Sequence, residues 1–213
     1  MFKPVHHEPA KKWPIAWKSL AFRRKLIIGF ILVFLILAFF PIFFQIIEKR
    51  NGRPLNDWLL DRVPAHDVSI LIFILIWATT LLLLVRVVRS PEILLEFLWA
   101  YALLSLTRMS TIILVNLDPP RYLIPLIDPI TNSFYGARYV TRDLFFSGHT
   151  STVFLMGFCF KRQIDRWLSF CAATAVGILL LIQHVHYTVD IIASPVITYL
   201  IYWLSRKYLT KYK

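Results

Sequence analysis

Negative charge is scarce in this chain: 12 acidic residues face 24 lysines and arginines, a formal net charge of +12 over 213 residues. Cysteine is scarcer. Cys159 and Cys171 are the only two, both sit in apolar segments, and they support neither a disulfide framework nor a metal site. Glycine occurs six times. No apolar segment carries the paired glycine and proline interruptions of transporter helices, although Pro195 is placed to kink the last one. The start does not read as a secretory leader, which has a short apolar core and a small-residue cleavage site. Residues 1–25 are instead polar and basic and lead into an uninterrupted apolar span, which reads as an uncleaved first helix. No internal repeat, low-complexity tract or second domain stands out.

Apolar side chains are abundant. Hydrophobic residues make up 58% of the chain and aromatic residues 15%, more than a soluble fold of this length can hide. They come in long uncharged blocks, the mark of bilayer-spanning helices. Six segments can be marked: Leu26–Ile47, Val68–Val85, Ile93–Val115, Phe145–Phe160, Trp167–Val185 and Tyr187–Trp203. The expected fold is an all-α membrane protein, a six-transmembrane-helix bundle. Residues 26–205 form its body, between a basic N-terminal segment (1–25) and a basic tail (206–213). Trp13, Trp17 and Phe22, with lysines between them, suit an amphipathic interfacial helix or a solvated basic tail. The last two spans nearly touch, so a tight turn is expected near His184–Asp190.

Positive charge sets the orientation. Sixteen lysines and arginines flank the first, second, fourth and sixth spans on one side, against seven on the other. The richer side should be cytoplasmic, with both termini there. Helix-flanking cations account for the basic excess, so no nucleic-acid partner is expected. His149 and the His184–Asp190 turn then fall at the non-cytoplasmic ends of their spans.

Ionisable groups at membrane depth are costly and are candidates for function. They are Glu96, Arg108, His149, His184, His186 and Asp190. A lone histidine at a helix end has an ordinary explanation, a bond to a backbone carbonyl. The grouping argues for more. In "HVHYTVD", His186 and Asp190 are four positions apart, one helical turn on one face. The carboxylate can accept the imidazole Nδ1–H, fix the tautomer and leave Nε2 as nucleophile or base. In "DLFFSGHT", Gly148 allows close backbone approach and Ser147 can cap a helix whose amides face an anion, with His149 beside them. A phosphate ester fits such a site. Arg108, Arg138 and Arg142 are candidate clamps, because the guanidinium fork suits phosphate oxygens. Glu96 reads as a packing or interfacial residue, and Trp99, Tyr101, Trp167, Trp203 and Tyr208 as interfacial belts.

Ser-Gly-His followed by His-x-x-x-Asp resembles two signatures of the type-2 phosphatidic acid phosphatase superfamily. The longer strings "DLFFSGHT" and "HVHYTVDIIA" resemble those of its sphingomyelin synthase branch. "RPLNDWLLD" (Arg53–Asp61) and "YALLSLTRMSTIILVNLDPP" (Tyr101–Pro120) are similar to further pieces of that branch, and the likeness runs from about residue 50 to 205. It implies a six-helix transferase that moves a phospho-alcohol head group from a glycerophospholipid to ceramide, releasing diacylglycerol, with membrane lipids as partners and no metal or cofactor. It also implies that His186 becomes a phosphohistidine, that Asp190 orients it, and that His149 is acid and then base. Asp143, Ser147, Gly148, His184 and Tyr187 lie in the matched motifs and join the substrate-binding set. Three departures stand out. Leu179 and Leu180 occupy the phosphatase Ser-Arg positions, the phosphatase Lys-x6-Arg-Pro signature is absent, and Arg142 replaces a glycine of the synthases. Residues 121–140 match the family poorly, so no head group is carried over. The rival readings are a lipid phosphatase or phospholipase C-like hydrolase with water as acceptor, and a non-catalytic transporter or scaffold.

Overall fold

The computed structural model describes residues 13–126 and 140–211. Among these, the chain forms seven α-helices: α1 (Trp13–Lys18), α2 (Leu20–Glu48), α3 (Ser69–Arg89), α4 (Pro91–Leu114), α5 (Gly148–Cys159), α6 (Gln163–Ile182) and α7 (Thr188–Leu204). Four of them, α2, α3, α4 and α6, and α7 together with its continuation to Leu209, are long and apolar enough to cross a membrane. Phe34, Ile70, Leu81 and Ile192 all point outward from them, as on helices that are apolar all round and solvated by lipid. This is a helical bundle of an integral membrane protein.

The fourth expected span is the exception. Expected over Phe145–Phe160, it is a helix of 12 residues, Gly148–Cys159. At 1.5 Å per residue it reaches about 18 Å, well short of a hydrocarbon core of roughly 30 Å. The cause lies in α4. The Arg108 Nε–H donates to the Phe146 carbonyl at 3.1 Å and the Thr111 hydroxyl to the Phe145 carbonyl at 2.8 Å. Side chains from another helix thus hold the backbone of an apolar stretch in a non-helical path, and α5 begins only after it.

The first long helix starts earlier than its apolar run suggests, because Ser19 caps it by accepting the Phe22 amide at 3.3 Å. Residues 13–18 form a short helix docked through the Trp13 indole, which donates to the Val87 carbonyl at 3.0 Å.

Up-and-down connections leave two distinct ends. At one end the Arg86 guanidinium holds Asp165 through two bonds, at 2.7 and 3.0 Å, tying α3 to α6. Nearby Lys161 lies 2.8 Å and Arg206 3.8 Å from Glu96, joining α4 to the regions beyond α5 and α7. Glu96 therefore packs helices together. The other end gathers the end of α2, the starts of α3, α5 and α7, and the ends of α4 and α6. Here the His66 amide donates to Ile182 at 3.1 Å and the Ser147 amide to the Asp190 carbonyl at 3.5 Å.

The short helix is the central one, with α3, α4, α6 and α7 packed around it. Its Leu155, Met156 and Cys159, with Phe160 just beyond it, share a core with Leu83, Ala100, Leu104 and Ile201. Gly177 of α6 lets the others close in: a β-carbon there would lie 2.7 Å from Ile191 and 3.6 Å from Thr150. Thr150 follows His149 and Ile191 follows Asp190, so the starts of α5 and α7 meet at this level.

Candidate active site

The local pattern that favours helix also builds the centre. Asp190 is the third residue of α7, and its Oδ2 accepts the Tyr187 amide at 3.1 Å, satisfying a first-turn donor. The same oxygen lies 3.2 Å from His186 Nδ1. A carboxylate acceptor assigns the proton to Nδ1 and leaves the lone pair on Nε2. His186 and Asp190 are buried, and Asp190 Oδ1 has no partner among the described residues. An unsatisfied carboxylate oxygen is costly unless the site uses it.

The start of α5 lies against this pair. Ser147 caps the helix, accepting the Thr150 amide at 3.4 Å, and its carbonyl accepts the Ser194 hydroxyl of α7 at 3.2 Å. Ser194 also donates to the Asp190 carbonyl at 2.7 Å. His149 is half-buried, edge-on to Phe73 of α3 with ring centroids 6.2 Å apart. The buried Arg108 reaches over from α4, bonded to Phe146 and to the Asp143 carboxylate. Its guanidinium lies against the α-carbon of Gly148, in space that any β-carbon would need. A larger residue there would displace the Arg108 guanidinium from its present place, which accounts for the glycine between Ser147 and His149. The first turn of α5, an arginine and two histidines therefore sit at one end of the bundle. Such a first turn carries unpaired amides and positive dipole, and favours an oxyanion.

The side chains of His184, Tyr187 and Arg142 have other partners. Both ring nitrogens of His184 face backbone carbonyls, Arg121 at 2.9 Å and Val63 at 2.8 Å. The Tyr187 hydroxyl accepts the Leu55 amide at 3.2 Å and donates to the Asp118 carbonyl at 3.0 Å. These two side chains staple the segments after α2 and α4 to the turn before α7. They also line a cavity of about 920 Å³ between Leu55–Ala65 and Pro120–Ile124, which His186 does not line. Arg142 pairs with Asp118 at 2.9 Å, and its amide donates to Glu48 at 2.7 Å. Arg138 lies outside the described residues.

Sequence reasoning missed several organisers of this end. Gln183 is buried, donates to the Ser69 hydroxyl at 2.8 Å and accepts the Val68 amide at 3.2 Å. Asp57 accepts the Thr188 amide at 2.6 Å and its hydroxyl at 2.9 Å. These partners are more than a hundred residues away, so local spacing does not reveal the contacts, although Asp57 lies in the string "RPLNDWLLD". Burial pushes the Asp57 carboxyl up, but bonds from Thr188, Leu60 and Leu59 outweigh it and hold the group below the usual carboxylate range. Among the described residues no three histidines, cysteines or carboxylates are grouped as metal ligands.

Residues 142–207 match the family model described as PAP2 superfamily C-terminal. The matched stretch holds Asp143, Ser147, His149, His186 and Asp190, and the match supports a relation to the type-2 phosphatidic acid phosphatases. No curated protein matches the chain.

Proposed function

We propose that this protein is an integral-membrane lipid phosphotransferase working through a phosphohistidine on His186. One observation carries the reading: the start of α5 abuts the start of α7, with the Ser147 amide on the Asp190 carbonyl at 3.5 Å. Two motifs almost forty residues apart thereby form one centre, and Arg108 covers its glycine.

In the first half-reaction His186 Nε2 attacks the phosphorus of a glycerophospholipid, and a P–N bond forms. The P–O bond to diacylglycerol breaks, and its oxygen takes a proton from His149. In the second, an acceptor hydroxyl gives its proton to His149 and attacks phosphorus, freeing His186. Asp190 stabilises the charge on the His186 ring, and Arg108 with the first amides of α5 offsets charge on the phosphoryl oxygens. Likeness to the sphingomyelin synthase strings makes a ceramide-like alcohol the favoured acceptor, and a phospho-alcohol the group moved. The excess of basic residues at the opposite end favours a centre at the non-cytoplasmic bilayer surface and cytoplasmic termini, with α5 as a short sixth traverse inside the bundle.

The test is to incubate purified protein with a head-group-labelled phospholipid, with and without ceramide. A labelled sphingolipid in the ceramide tube alone supports transfer. Free phospho-alcohol in both tubes reassigns the acceptor to water, and no product in either overturns the reading.

A further inference from the structure

We propose that Asp57 is a positioning residue for the His186 centre, acting by filling the N-terminus of α7 with a carboxylate. The inference rests on the phosphotransfer reading above and extends it to a residue outside both motifs. Two helix starts lie side by side at this end of the bundle, and each is by its dipole and free amides attractive to an anion. The chain treats them oppositely. At α5 an arginine covers the first residue, Gly148. At α7 the first residue, Thr188, gives its amide to Asp57 Oδ2 at 2.6 Å and its hydroxyl to Oδ1 at 2.9 Å. A substrate phosphate is thus turned away from α7 and toward the start of α5, where His149 is the second residue.

The same carboxylate fixes the backbone that carries the nucleophile. Thr188 is two residues from His186, and Asp57 also accepts the amides of Leu59 at 3.1 Å and Leu60 at 3.3 Å. The segment after α2 is thereby locked to the start of α7. Tyr187, between His186 and Thr188, is held by Leu55 of that segment as well, at 3.2 Å. Freed from Asp57, this turn can shift, and the in-line geometry of His186 with it. Misplacement on the ångström scale costs roughly a hundredfold in rate.

The experiment pairs turnover with phosphate binding. Asp57→Ala should lower kcat about ten- to a hundredfold with a smaller change in KM, and Asp57→Asn, which keeps one acceptor oxygen, should recover part of it. Inorganic phosphate, titrated against purified protein and followed by 31P NMR, should bind Asp57→Ala more tightly or at a second site, because the start of α7 is now open. Arg108→Ala should bind phosphate more weakly than the parent protein does. Lower kcat with unchanged phosphate binding would reduce Asp57 to a simple staple and overturn the proposal. So would a phosphate gain with unchanged kcat. If Asp57→Ala does not fold, Asp57→Asn is read by the same two measurements. If the parent protein turns over no lipid, the transferase reading fails alone, because the phosphate titration still decides what Asp57 excludes.

Discussion

Each end of the bundle contains a buried carboxylate, and the two are treated differently. Glu96 is paired with two cations, Lys161 at 2.8 Å and Arg206 at 3.8 Å, and accepts the Tyr202 hydroxyl at 3.4 Å. Asp190 faces an imidazole and a backbone amide, both on one oxygen, and the other oxygen has no partner among the described residues. A carboxylate compensated by full charges is a fastener. One that leans on an imidazole is arranged to stabilise that ring when it becomes positive. On the proposed function, the difference separates the architectural end of the molecule from the end that does the chemistry.

Substitutions sharpen that contrast. His186→Ala should abolish turnover, and phosphotransfer in that variant would break the comparison outright. Asp190→Asn keeps the shape and loses the charge, and should cost about three to four orders of magnitude in kcat. Arg108→Ala should cost roughly a hundred- to a thousandfold, with the loss also read as weaker phosphate affinity. Glu96→Gln should do the reverse, leaving kcat within about threefold while removing roughly 1–3 kcal/mol of stability, seen as a lower melting temperature in detergent. A large activity loss in Glu96→Gln would erase the division between the two ends.

The smallest expected effect is in pH. Asp57 is held below its ordinary value of 3.8. Its contribution to stability is full above that value and is lost as the pH falls below it. The melting temperature of Asp57→Asn should therefore fall less steeply than that of the parent protein over this acid range.

The His186–Asp190 pair is legible in the sequence because four residues of spacing is a local, helical fact. The same holds for the serine cap before Gly148. The length of α5 is not legible, since Phe145 and Phe146 are apolar and their non-helical path is imposed by Arg108 and Thr111 from another helix. The roles of His184 and Tyr187 were hidden for a similar reason. Both lie in a motif that names the centre, but their polar atoms meet segments 63 to 132 residues away. Arg142, read as a clamp, has Asp118 and Glu48 as partners. Periodicity reports which face is buried, and chain topology alone decides what is buried against it.

The most direct measurement is to expose the protein to a head-group-labelled phospholipid without acceptor, quench it, and locate the label by mass spectrometry. An acid-labile phosphoryl group on His186, absent from His186→Ala and discharged when a lipid alcohol is added, is the predicted result. Continued turnover with no label on His186, or with label on another side chain, would contradict it.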